Sequence, residues 1–213
     1  MRIAQVPLRP VAIPAWRIDA AQLLEEHHLV AWSPFSTQRD RFAVELADHL
    51  AGLSDTQVCV INGSAVTDMA SLSAVLSVQL GVGPISPRMG GASGLLECLR
   101  CRPSCDEGPA IKRRFYIWID ADNLLRHDHR LFGRIADAFA GIAAESEYTS
   151  EDLLLVHRAV YVGSSMLDVY AEDPRGQFRQ WWSEHGERPF WDVVTGVERP
   201  AFLRYRIEDA VAA

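Results

Sequence analysis

No apolar stretch in this sequence approaches the roughly 20 residues a helix needs to cross a bilayer. The opening MRIAQVPLRPVAIPAW also lacks the long apolar segment of a secretion signal. The expectation is a cytoplasmic chain with no membrane partner. Cysteine is scarce: 4 in 213 residues are too few to staple a chain of this length, so reduced thiols are expected, with Cys59 in the core. Positive charge is in deficit, with 21 basic against 28 acidic residues and a formal charge of −7. Affinity for nucleic acid rests on clustered cations, so no nucleic-acid partner is expected. Fixed-period repeats and low-complexity tracts are absent, which sets aside solenoid and low-complexity architectures.

Catalytic signatures are missing as well. There is no G-x-S-x-G elbow and no catalytic Cys–His signature, and Ser164-Ser165 has no identifiable base. The Gly-rich RMGGASG lacks the Lys-Ser/Thr end of a P-loop and does not directly follow a strand. Cys98, Cys101 and Cys105 form C-x2-C-x3-C, which would bring three thiols to one zinc or iron–sulfur site if the chain turns at Pro103. A fourth ligand is missing nearby, so the expectation is no metal and no cofactor. His127 and His129 bracket Asp128 at a polar helix start, where they point in different directions and read as surface histidines.

What is present is a chain of 48% apolar residues, enough to bury a sizeable core as one α/β domain over residues 1–213. Spacing near 3.6 predicts helices in DAAQLLEEHHLV, in RDRFAVELADHLAGL with Thr37 or Asp40 as cap and Gly52 as stop, and in DMASLSAVLSVQLGV with Thr67 or Asp68 as cap. SGLLECLR reads as a short helix. DHRLFGRIADAFAGIAAESE is a longer one, with Leu131, Ile135, Ala138, Phe139 and Ile142 on one stripe and Asp128 as cap. QVCVING, RRFYIWID and DLLLVHRAVYVG read as strands, and the alternation in FLRYRI allows one more. Strands separated by crossover helices imply a parallel sheet.

Asp120 and Asp122 close the strand RRFYIWID. In a continuing strand they would share a face, which suits a divalent cation held by oxygen ligands. In a turn, Asp122 or Asn123 would instead accept backbone N–H groups. IDADN resembles the opening strand of the NYN, or PIN-like, nucleases over this stretch alone.

Taken as a unit, the middle of the chain resembles the barstar family of small α/β proteins that inhibit secreted ribonucleases. VINGSAVTDMASLSAVLSVQLGV is similar to that family's opening strand, Asn-Gly turn and first helix, and MGGASGLLECLR to its Gly-containing loop and short acidic helix. RFYIWIDADNLL, the helix of Phe132 to Ala144 and the strand of Leu153 to Val162 keep the order of the remainder. The match spans residues 57–163. It implies a small parallel three-stranded sheet covered by helices, with residues 1–56 and 164–213 as extensions packed on it.

The resemblance also implies a mode of action. The family presents acidic side chains from the short helix and its loop to a basic, phosphate-binding enzyme cleft, where complementary charge speeds encounter. By position Glu97 matches one of those acids. Ser93 stands in the place of the other, and Arg88 and Met89 replace the loop's aromatic contacts. The expected partner-binding surface is therefore Arg88, Met89, Gly90, Ser93 and Glu97. The functional expectation is a non-enzymatic module that binds a protein partner, of inhibitor or immunity type. The alternative is a metal-dependent hydrolase or nuclease using Asp120 and Asp122.

Overall fold

A computed structural model of the chain describes residues 20–24, 27–81, 95, 99, 111–147, 155–172 and 203–207. In chain order the elements are β1 (Leu29–Trp32), α1 (Ser36–Ala51), β2 (Thr56–Asn62), a 3-10 turn (Gly63–Ala65), α2 (Met69–Leu80), β3 (Arg113–Ile119), α3 (Asp122–His127), α4 (His129–Glu147), β4 (Val156–Gly163), α5 (Ser165–Glu172) and β5 (Leu203–Arg206). The strands pair in the order β2-β3-β4-β1-β5, every pair parallel. The apolar runs of β3 and β4 become inner strands, buried along nearly their whole length, as strands covered on both faces must be.

Alternation along the strands feeds two cores. On one face Tyr116 and Trp118 of β3, Ala159 and Tyr161 of β4, and Cys59 and Ile61 of β2 pack against α2, α3, α4 and Leu167 of α5. Trp118, Phe132 and Tyr161 form a ring cluster there, with centroids 5.6 to 6.0 Å apart. On the other face Leu29, Ala31, Phe115, Ile117, Val160 and Val162 meet Phe42, Ala43, Leu46 and Leu50 of α1, together with Ala20 and Leu24. The steps β2 to β3 to β4 run one way across the sheet beneath α2, α3 and α4. The step β1 to β2 runs the opposite way with α1 on the opposite face. These three crossovers, placed by their described helices, therefore share one hand, as the twist of strand and helix requires.

Local signals behave largely as the sequence predicts. Asp68 caps α2 by accepting from Ser71 N at 2.7 Å, and this bond holds its carboxyl below the usual range. Gly81 closes the helix in the left-handed conformation at φ 66°. Asp128 Oδ1 accepts from Leu131 N at 2.9 Å at the start of α4. Leu95 and Leu99, the described residues of SGLLECLR, are helical and buried.

Three expectations need correction. The sheet has five strands, because β1 and β5 from the two flanking regions extend the core trio on the β4 side. DAAQLLEEHHLV is not one helix: residues 20–24 are helical, and the segment then changes to β1 at Leu29, whose side chains are covered on both faces. Neither Thr37 nor Asp40 caps α1. Its N-cap is Phe35, and the nearby side-chain bonds come from Ser33, which accepts from Phe35 N at 3.2 Å and donates to Gln38 Oε1.

At the amino edge of the sheet, His28 is a buried residue. Its Nδ1 accepts from Ala159 N at 3.0 Å, and its carbonyl accepts from Leu203 N at 2.9 Å, tying β1 to both neighbours. Burial lowers its pKa from 6.5 to about 3, and repulsion from Arg158 and His27 adds to the shift.

Candidate functional site

Adjacent strands β4 and β1 send their chains to opposite faces: β4 leads to α5 on one side and β1 to α1 on the other. In open α/β sheets such a switch point opens a crevice at the carboxyl ends of the strands, where ligands bind. Asp120 and Asp122 emerge beside this point from β3. Ser33 and Arg39 arrive from the β1 exit and Ser164 from the β4 exit. The exits are stitched together by Ser33 N donating to Gly163 O at 3.1 Å and Ala121 N donating to Val162 O at 3.0 Å.

β3 ends at Ile119, so the two aspartates never share a strand face. Asp120 adopts the left-handed conformation at φ 51°, which turns the chain, and its carbonyl accepts from Asn123 N at 2.9 Å. Asp122 then begins α3 with its carboxylate buried. Its Oδ2 accepts from Arg126 Nη2 and from the Ser164 hydroxyl. The turn reading expected backbone N–H donors for Asp122 or Asn123; the donors to Asp122 are instead a guanidinium one helical turn on and a hydroxyl from the next strand exit.

Two glycines let these parts approach. A Cβ on Gly63 would lie 2.3 Å from Asp120 O, and one on Gly163 would lie 2.6 Å from both Asp122 Oδ1 and Leu167 Cδ1. The β2 exit thus rests on the Asp120 turn, and the β4 exit rests on the Asp122 carboxylate. Asp120 remains half exposed, with Arg39 Nη2 at 3.7 Å from its Oδ1. That spacing is an ion pair without a hydrogen bond. Arg39 Nε is buried with no hydrogen-bond partner among the described residues.

Chemically the arrangement is a brace. One carboxylate oxygen holds a guanidinium and a hydroxyl, and a second carboxylate stands near another guanidinium, so the local charges are matched two against two. Among the described residues no group of three or more His, Cys, Asp or Glu is placed to hold a metal ion. His127 and His129 are exposed, as expected. Cys59 is buried in the core, as expected. Cys98, Cys101 and Cys105, and the partner-binding set Arg88, Met89, Gly90, Ser93 and Glu97, lie outside the described residues.

Sequence reading found the aspartates but missed Ser33, Arg39 and Arg126 as their surroundings. Only Arg126 carried a usable signal, the four-residue spacing from Asp122 on a helix. Comparison with known proteins adds nothing to this geometry: no family model matches the chain, and no curated protein matches it. No helix among the described residues is long and apolar enough to cross a membrane.

Proposed function

We propose that this chain is a non-enzymatic, barstar-like module that binds a protein partner whose surface is basic and built to hold phosphate. The observation that carries the reading is the buried Asp122 carboxylate, engaged by Arg126 and Ser164. The most enzyme-like residues in the sequence are thereby used to fix strand exits. The parallel neighbours β2, β3 and β4, with α2, α3 and α4 on one face, support it further, since this is the order the resemblance implies. The formal charge of −7 suits a basic partner, because complementary fields raise association rates and disfavour wrong partners.

Isothermal titration of the full chain with a secreted ribonuclease that has a basic, phosphate-binding cleft tests the proposal. A saturable heat that weakens with added salt is expected, because screening lengths shrink to about 10 Å at 0.1 M. Glu97→Ala should weaken binding further. No heat at low salt, or binding indifferent to both salt and Glu97→Ala, would remove this reading.

A further inference from the structure

A sheet that is not closed has two outer strands, each with a row of backbone N–H and C=O groups that another strand could pair with. Among the described residues these are β5 and β2. β5 is blunted by its length of four residues, by exposed Arg204 and Arg206, and by two bonds of 2.6 and 2.9 Å from Arg204 to Asp168 of α5. β2 has none of these devices. It is seven residues long, TQVCVIN, with no charge and no proline, and it keeps register with β3 from Thr56 to Asn62 without a bulge. Val60 on β2 and Val78 on the neighbouring α2 are exposed apolar side chains.

Gln79, in the last turn of α2, covers this edge. Its Oε1 accepts from Val60 N at 2.7 Å, and its Nε2 donates to Val60 O. Gln57 Nε2 donates to the main-chain carbonyl of Gln79 at 3.4 Å, which steadies the helix end over the strand. One side-chain amide thereby takes the donor and the acceptor that the peptide groups of an incoming strand would take. Outward-facing backbone groups recur at every second residue, so Val60 is an inner member of the set Thr56, Val58, Val60 and Asn62. Occupying an inner position interrupts the row.

We propose that Gln79 guards the edge of β2 that no described strand pairs with, and that the occupant it excludes is β2 of a second copy of this chain. The edge itself specifies that occupant. Two identical edges can pair about a two-fold axis with the same residues on both sides, and β2 carries no charge to repel its copy. Pairing would also bring the exposed valines of the two copies together, removing apolar surface from water.

Light-scattering mass across a dilution series of the full chain tests the guard. Gln79→Ala should rise toward twice the wild-type mass as concentration increases, while wild type does not change. Adding Val60→Lys to Gln79→Ala should restore the wild-type value, because a charge on an edge strand opposes pairing. Equal masses for wild type and Gln79→Ala at every concentration would overturn the proposal. So would association that Val60→Lys leaves intact. If Gln79→Ala shows no cooperative melt, Gln79→Asn, whose shorter amide cannot span both Val60 groups, is measured and read by the same criteria.

Discussion

Gly163 stands where β4 ends and the Asp122 carboxylate begins, with no room for a side chain. Gly163→Ala must push Asp122 or Leu167 aside, and overpacking of this kind costs about 1–3 kcal/mol. Denaturant unfolding should show that loss, and an unchanged midpoint would mean that the exits are looser than described. His28 offers a second test at this scale. Its folded pKa of about 3 lies below the ordinary 6.5, so between those values the unfolded chain binds the extra proton. Stability is then fully present above pH 6.5 and is lost as pH falls, by up to about 1.4 kcal/mol per pH unit. His28→Gln, which keeps an acceptor for Ala159 N, should flatten the slope of melting temperature between pH 6.5 and 5, above the range where ordinary carboxylates titrate. Neither residue could be singled out from sequence. A glycine beside a carboxylate, or a histidine in His27-His28, acquires its meaning only from contacts between strands distant in the chain, Gly163 with Asp122 and His28 with Ala159.

Elements were legible where one chemical pattern acted alone. α2 shows its 3.6-residue spacing and its cap Asp68 within a single stretch, and both are used. α1 was legible in its body and at Gly52 but not at its start, because the chain leaves β1 through Ser33 and Pro34 and the helix begins at Ser36 without a side-chain cap. β1 was hidden for a different reason: four residues, LVAW, are too few to display a period, and only pairing with β4 and β5 makes them a strand. FLRYRI was readable by alternation, and Tyr205 stacks on Phe42 at 5.7 Å to hold β5 against α1. The cluster of Trp118, Phe132 and Tyr161 packs α4 onto β3 and β4. Phe132→Ala should cost about 3–5 kcal/mol in chemical denaturation. A loss below about 1 kcal/mol, the size of a mild core trim such as Ile→Val, would show that α4 does not depend on that ring.

For the whole molecule, the parallel class followed from strands alternating with helices, since short connections cannot join parallel neighbours, while the grouping of β2, β3 and β4 was what the family resemblance implied. β1 did not follow, and neither did the placing of β1 and β5 beyond β4, because both rest on long-range pairing, β1 with β4 and β5 with β1. At this scale Asp120 and Asp122 hold strand exits together, and we propose that function is left to the protein's surface. A divalent cation bound by the folded chain would raise its melting temperature by mass action. The direct measurement is therefore a thermal melt of the full chain titrated with Mg²⁺ or Mn²⁺. No change in melting temperature with either ion is expected; a saturable rise that Asp120→Asn abolishes would contradict the role of these aspartates as a brace.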